Sequence, residues 1–198
     1  MIRSFGDHDT EMLFYRNASR RWQGIARVAL RRLRLLHRAT TLDDLSAPPG
    51  NRLEALKGDR TGQYSIRVND QYRICFRWDR GDAYDVELTD YHWEDIQMKS
   101  KRTKMEPLHP GEILREDFLK PLGLSINALA RALHVPPNHV SGIVNEKRGI
   151  SATMALRLAR YFGASPELWL GLQQDYELDV ARDTAAAKIE IEVLPRAS

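Results

Sequence analysis

The sequence predicts two small domains of different fold class, an α+β domain followed by an all-α domain. After Gly58, apolar and polar residues alternate up to residue 92, which is typical of antiparallel strands. From residue 108 onward, apolar residues recur at helical spacing between prolines and glycines. Residues 93–107 are basic and have no core pattern. We therefore expect an N-terminal half (residues 1–92), a basic linker (93–107) and a C-terminal half (108–198).

Composition favours a cytoplasmic protein that does not contact a membrane. The 198 residues are 42% hydrophobic and 29% charged, as in ordinary globular domains. No apolar run approaches the ~20 residues that a membrane-spanning helix needs, and the first residues lack the apolar core of a secretion signal. Cys75 is the only cysteine, which excludes a disulfide framework within the chain. It stands in a strand pattern and is interpreted as a small strand residue rather than a nucleophile.

Charge is distributed unevenly along the chain. Residues 1–104 carry 20 Lys and Arg against 15 Asp and Glu, a net charge of +5, and residues 105–198 carry 10 against 12, a net charge of −2. A basic half suggests a nucleic-acid or phosphate partner. A solvated arginine face would give the same count, so charge alone does not decide between the two.

The N-terminal half is expected to begin with two helices that cover one side of a sheet. Residues 9–14 form the shorter candidate. The longer helix has an apolar stripe of five residues: Ile25, Val28, Ala29, Leu33 and Leu36. Four arginines lie off this stripe: Arg27, Arg31, Arg34 and Arg38. The pattern predicts an amphipathic helix with a cationic outer face.

Three strands follow, at residues 64–68, 72–78 and 84–88. If Val68 lies opposite Tyr72, every apolar side chain of the first two strands shares one face, which requires a three-residue loop at 69–71. The same register places Arg67 opposite Arg73. Like charges in that position repel, so an anion bound between them is one explanation. The other is that both side chains point into water.

The last strand leads directly into three residues that can transfer protons: Asp90, Tyr91 and His92. With the cations Lys57, Arg67 and Arg73 they form a set suited to RNA cleavage. In this reaction the ribose 2′-hydroxyl attacks the adjacent phosphate, and the enzyme supplies a proton acceptor, a proton donor and positive charge. Neither a metal nor a cofactor is required, and we expect none.

Residues 48–60, 63–76 and 90–92 resemble the HigB-type branch of the RelE toxin superfamily. The resemblance covers residues 1–92 and implies a RelE-like sheet with two N-terminal helices. It also implies an mRNA interferase that cleaves ribosome-bound mRNA. Its catalytic positions would be these: Lys57, Arg67, Arg73, Asp90, Tyr91 and His92. Such toxins end at this Asp-Tyr-His, whereas here the chain continues with Trp93, so the tail beside the site is longer.

In the C-terminal half, helix starts and stops are marked clearly. Proline or serine stands at each expected start: Pro110, Ser125, Pro137, Ser151 and Ser165. The helices that start at Ser125 and Pro137 are short and joined by a tight turn, which predicts a helix-turn-helix. His134 stands at a turn position where glycine is common, and histidine tolerates a positive φ there better than bulky residues do. Residues 188–193 alternate like a strand that could pair across a dimer.

Residues 109–114 and 145–150 resemble the HigA-type antitoxins, which carry an XRE-type helix-turn-helix. The resemblance runs from residue 108 to 179 and implies a homodimer that binds operator DNA, represses its own gene and contacts the toxin. In this geometry three residues would reach base edges: Asn138, His139 and Ser141. Five others would hold phosphates: Ser125, Asn127, Asn145, Lys147 and Arg148. For Lys147 and Arg148 a solvated turn is the alternative.

Two functions remain open at this level. The chain is either a ribosome-dependent endoribonuclease restrained by its own antitoxin domain, or a DNA-binding repressor whose N-terminal half is catalytically inactive and serves as a corepressor or dimerisation module. The intact set of six residues favours the enzyme, and the extension past His92 favours the repressor. The two halves could also have been joined for study or derive from adjacent reading frames, since Met98 or Met105 could start an antitoxin.

Overall fold

The structure is a computed structural model that describes residues 1–19, 21, 22, 24–90 and 104–196. Tyr91 and His92 of the predicted catalytic set lie outside the described residues, as does most of the predicted linker. Among the described helices, none is both long enough and apolar enough to cross a membrane.

Within its described residues, the N-terminal half combines three α-helices with a four-stranded antiparallel sheet in the order β1-β2-β3-β4. The helices are α1 (His8–Arg16), α2 (Ala26–Arg38) and α3 (Leu42–Ser46). The strands are β1 (Glu54–Ala55), β2 (Gln63–Arg67), β3 (Tyr72–Asp79) and β4 (Asp82–Asp90). The α+β class is confirmed. The sequence missed α3 and β1 because elements of five and two residues are too short to show a period.

The predicted register of the first hairpin is confirmed. Arg67 lies opposite Arg73 and Tyr64 opposite Phe76, and the Val68 N–H donates to the Tyr72 carbonyl at 2.9 Å. Apolar side chains of β2, β3 and β4 pack with α1 and α2 in one core cluster. The opposite face of the sheet, which we call the outer face, therefore carries the alternating polar residues of each strand.

The C-terminal half is all-helical. Its first helix has three parts, α4 (Pro110–Ile113), a π-helical stretch (Leu114–Leu119) and α5 (Lys120–Leu122). It is followed by α6 (Ile126–Ala132), α7 (Pro137–Val144), α8 (Ala152–Phe162) and α9 (Pro166–Glu192). Ser125, Ser151 and Ser165 each accept a hydrogen bond from a first-turn N–H, as predicted for N-caps. Helices α6 and α7 form the predicted helix-turn-helix, and His134 in its turn has φ +52°.

The strand predicted at residues 188–193 is wrong, because α9 continues to Glu192. Ala185 and Ala187 favour a helix at the start of this stretch, and Lys188 pairs with Glu192 one turn later at 3.6 Å. The alternating apolar residues do not form a buried face, since the Ile191 side chain is 81% exposed. Helix propensity therefore decides the conformation.

The predicted cationic outer face of α2 is also wrong. Arg31, Arg32 and Arg34 are 8%, 5% and 9% exposed. Helix α2 packs against the sheet core on one side, while Leu30 and Leu35 on its other side join the core cluster of the C-terminal half. The helix therefore lies between the two halves.

His37 in the last turn of α2 is expected to make the free energy of unfolding depend on pH. Its Nδ1 accepts a hydrogen bond from the Ile2 N–H at 3.3 Å, and burial lowers its pKa to about 4. An unfolded histidine has a pKa of about 6.5, so the unfolded chain binds a proton more readily. We expect the free energy of unfolding to fall as the pH decreases from about 6.5 to about 4.

Urea unfolding across this pH range tests the expectation, with His37→Gln as the comparison. Glutamine can still accept the Ile2 N–H bond but does not titrate. The variant should lose less stability over the same range. An identical pH profile for both proteins would show that His37 is not responsible.

Candidate functional sites

A cavity of about 430 Å³ lies on the outer face, and all its lining residues come from the N-terminal half. They are Glu54, Ala55, Leu56, Lys57, Arg60, Cys75, Thr89 and Asp90. Two of the predicted catalytic residues, Lys57 and Asp90, thus meet in one cavity. Asp90 ends β4, and its carboxylate accepts a hydrogen bond from the Gln71 amide at 2.7 Å. The chain runs on from this wall into Tyr91 and His92.

Arg67 and Arg73 lie on the sheet beside the cavity, not among its lining residues. Arg73 pairs with Glu54 at 3.0 Å and donates to the Ser65 hydroxyl at 2.8 Å. Arg67 pairs with Asp70. Each arginine thus has its own carboxylate in the structure, and the anion predicted between them stays a prediction.

Arg60 is a basic cavity residue that the sequence pattern did not indicate. It pairs with Glu87 of β4 at 2.8 Å. The signal in the sequence is weak, because one arginine in a polar turn is common.

Cys75 is only 3% exposed, and burial raises the pKa of its thiol against the opposing effect of Arg60. A protonated, buried thiol agrees with the interpretation of Cys75 as a strand residue.

The predicted DNA-contacting residues all lie on accessible parts of the helix-turn-helix. Six are exposed: Ser125, Asn127, Asn138, Asn145, Lys147 and Arg148. His139 and Ser141 are half-buried on α7, and Asn145 donates to the Ser141 hydroxyl at 3.1 Å. Partial burial lowers the pKa of His139, and the nearby Arg148 lowers it further. This direction favours the neutral form of His139.

Residues 109–114 begin the first helix of the C-terminal half, and this helix contacts α7. A side chain at Gly111 would bring its Cβ within 1.8 Å of the Ile143 carbonyl oxygen, so glycine allows α4 and α7 to touch. The His109 ring accepts the Gly111 N–H at 2.9 Å and so caps α4. Arg115 donates to the Val144 carbonyl at 2.5 Å, at the end of α7. The first helix thus fixes the position of α7.

Each half of the chain is similar to known proteins of the family that its sequence resembles. Residues 3–92 match the family model of the RelE-like toxin of the type II toxin–antitoxin system HigB, and residues 116–169 match a helix-turn-helix family model. Toxin HigB-1 of Vibrio cholerae is 45% identical over 64 residues, which cover 32% of this chain and 67% of that protein. Antitoxin HigA-1 of the same organism is 38% identical over 78 residues, which cover 39% of this chain and 73% of that protein. The chain belongs to the HigB–HigA toxin–antitoxin family. Its N-terminal half is the toxin half, and its C-terminal half is the antitoxin half.

Two further proteins are similar to part of the chain. Virulence-associated protein I of Dichelobacter nodosus is 55% identical over 86 residues, covering 43% of this chain and 80% of that protein. A solved structure of the Pseudomonas aeruginosa antitoxin HigA with the higBA promoter is 49% identical, with a TM-score of 0.46. The aligned region covers 46% of this chain and 100% of the antitoxin chain.

The contact between toxin and antitoxin halves is built on the arginines of α2. Arg31 lies 3.1 Å from both Glu112 and Asp117, and Arg32 lies 2.9 Å from Asp117. Arg27 also pairs with Glu112. Both carboxylates belong to the first helix of the antitoxin half. The positive charge of the toxin half is thus partly matched within the molecule.

The last turns of α2 make a second contact, with α9. Arg34 pairs with Asp179 at 2.6 Å, and Arg38 pairs with Asp175 at 2.5 Å. Nearby, Asp44 of the toxin half accepts both the backbone N–H and the hydroxyl of Ser165, the N-cap of α9, at 2.5 and 2.9 Å. Burial disfavours the Asp44 carboxylate, but the hydrogen bonds from Ser165 and from Thr40 outweigh this effect and lower its pKa. The carboxylate is therefore ionised at neutral pH.

Proposed function

We propose that the toxin half is a metal-independent endoribonuclease that cleaves ribosome-bound mRNA in the cytoplasm. We further propose that the antitoxin half restrains it and binds operator DNA as a homodimer. The observation that best supports the enzymatic part is the cavity where Lys57 meets Asp90, directly before Tyr91 and His92. It brings a cation and a carboxylate together on the sheet, and the two other residues expected to transfer protons follow Asp90 directly in the sequence.

In the proposed reaction, the 2′-oxygen of a ribose attacks its own 3′-phosphate while the bond to the next 5′-oxygen breaks. One proton leaves the 2′-hydroxyl and one is delivered to the 5′-oxygen, which gives a cyclic phosphate and a free 5′-hydroxyl. Lys57, Arg67 and Arg73 would bind the phosphate and offset the charge that develops on it. Three residues would take up and return the protons: Asp90, Tyr91 and His92.

The other candidate is a repressor with an inactive toxin half. The observation in its favour is that Arg67 and Arg73 are both paired with carboxylates of the toxin half itself. To distinguish the two, we would insert a protease site after Met98, cut the chain, separate the halves and assay mRNA on translating ribosomes. Cleavage that disappears in a His92→Gln variant supports the enzyme. Intact mRNA with a folded toxin half, checked by circular dichroism, supports the repressor.

Restraint of the toxin half by the antitoxin half is tested by the same cut. The buried ion pairs along α2 keep the antitoxin half against the toxin half, and the linker maintains a high effective concentration. The uncut chain should therefore be less active than the separated toxin half. Equal activity before and after cutting would exclude restraint within the chain.

The DNA-binding part is supported by the accessible polar residues of α6 and α7. It is also supported by a relative named as an uncharacterised HTH-type transcriptional regulator, YbaQ of Escherichia coli, which is 42% identical over 78 residues. These 78 aligned residues cover 39% of this chain and 69% of that protein. In such a motif the N-terminal residues of the second helix enter the major groove. Asn138 and Lys147 should then act in different ways.

We expect Asn138→Ala to relax sequence preference at one operator position, with a loss of about 1–3 kcal/mol. Lys147→Ala should weaken binding to all sequences alike and reduce the salt slope by about one. Binding isotherms on operator and scrambled DNA at several salt concentrations would measure both. If the two variants behave alike on both DNAs, the recognition helix does not lie as proposed.

A further inference from the structure

The turn that carries Lys57 supplies a second cation to the cavity. Lys57 directly precedes the one-turn helix Gly58–Arg60, and the Arg60 N–H donates to the Lys57 carbonyl at 3.4 Å. Both side chains line the same cavity. Two cations on one short turn can contact one nucleic-acid backbone together.

The Arg60 side chain extends toward β4. Its Nη1 lies 2.8 Å from a carboxylate oxygen of Glu87, which is the register partner of Cys75. The small side chains of Cys75 and Thr89 leave space next to this pair. Arg60 is 43% exposed and Glu87 32%, so the pair is accessible from solvent. A guanidinium has five N–H donors, more than one carboxylate can accept.

We infer that Arg60 binds a backbone phosphate of the RNA substrate in this cavity, and that Glu87 is its counter-ion while RNA is absent. The inference rests on the proposed ribonuclease function and adds a residue to it. Neither Arg67 nor Arg73 is among the residues that line the cavity, whereas Arg60 lines it together with Lys57.

Replacement of Glu87 by phosphate is chemically reasonable. An exposed ion pair contributes little to stability, so opening it costs little. Guanidinium binds phosphate oxygens through two parallel hydrogen bonds, a geometry that lysine cannot supply. We therefore expect Arg60 to contribute both charge and geometry to RNA binding.

The chain offers a matched control on the same sheet face. Arg77 pairs with Asp85 at 2.9 Å, and the two side chains are 52% and 54% exposed. This pair has the same chemistry but lies outside the cavity lining. Asp85 has φ +53°, a conformation that asparagine tolerates, so Asp85→Asn is a safe counterpart of Glu87→Gln.

The experiment measures binding of the full chain to a short single-stranded RNA with methylated 2′-oxygens, which cannot be cleaved. Arg60→Ala should weaken binding about tenfold and reduce the slope of log K against log salt by about 0.7, as expected for one lost phosphate contact. Arg60→Lys should keep the slope and lose part of the affinity. Glu87→Gln should tighten binding a few-fold. Arg77→Ala and Asp85→Asn should each change binding less than twofold.

Several outcomes would overturn the inference. If Arg60→Ala behaves like Arg77→Ala while Lys57→Ala weakens binding, Arg60 is not a phosphate-binding residue, although the proposed function stands. If Glu87→Gln weakens binding and lowers the melting temperature, the ion pair is structural. If none of Lys57→Ala, Arg60→Ala and Arg77→Ala changes binding, the cavity does not bind RNA and the proposed function itself fails.

Discussion

Replacing Asp117 by alanine is expected to lower the free energy of unfolding by about 3–5 kcal/mol, because removing one partner leaves buried charges unpaired. The Asp117 side chain is 1% exposed and contacts two arginines of α2, Arg31 at 3.1 Å and Arg32 at 2.9 Å. Both arginines are themselves nearly buried. Without the carboxylate, two guanidinium groups would remain between the toxin and antitoxin halves with less charge compensation.

Urea unfolding of the full chain measures the effect, and Asp183→Ala is the control. Asp183 also lies in the antitoxin half and pairs with Lys104, but this pair is at the surface. Its loss should cost no more than about 1 kcal/mol. Asp117→Asn keeps the shape of the side chain without its charge and should fall between the two. Equal destabilisation by Asp117→Ala and Asp183→Ala would mean that the arginines of α2 are hydrated and not buried.

Local rules predicted much of this fold. The register of β2 and β3 followed from requiring all apolar side chains to share a face, and the pairing of Arg67 with Arg73 is confirmed. The N-caps at Ser125 and Ser165 and the positive φ of His134 are confirmed as well. These features depend on residues close in sequence, or on one strand pair, so a single sequence is enough to find them.

The role of α2 could not be found in this way. Its periodicity showed one apolar stripe, and four arginines off the stripe indicated a solvated face. The partners of those arginines lie far along the chain, as with Arg38 and Asp175, which are 137 residues apart. No local pattern reveals that acidic residues of another helix complement a basic face. The same limit explains Arg60, which becomes notable only when β3 and β4 are placed beside its turn.

The cavity was predictable only in part. Lys57 and Asp90 were selected by their residue type and by resemblance, and the structure brings them together. Arg67 and Arg73 were selected in the same way, but in the structure they form ion pairs with Asp70 and Glu54. Pairing by nearby carboxylates depends on side-chain placement, which strand register alone does not fix. Among the described residues of the predicted set, Lys57 is the cation that lines the cavity and has no ion pair.

Lys57 is therefore the residue for which we expect the largest loss of activity. Lys57→Ala should lower single-turnover cleavage of ribosome-bound mRNA by about 10²–10³-fold, the range found when one group that stabilises transition-state charge is removed. The side chain is exposed, so the melting temperature should change little. The assay uses the toxin half after cutting behind Met98, with the antitoxin half removed.

Arg16→Ala provides the control, because it removes one positive charge from an exposed position at the end of α1. A general effect of net charge on ribosome binding would lower cleavage equally in both variants, and would remove Lys57 from the catalytic set. Lys57→Arg separates charge from shape. If positive charge in the cavity is what the reaction needs, this variant should retain more activity than Lys57→Ala, because the guanidinium remains charged at every pH at which the protein is folded.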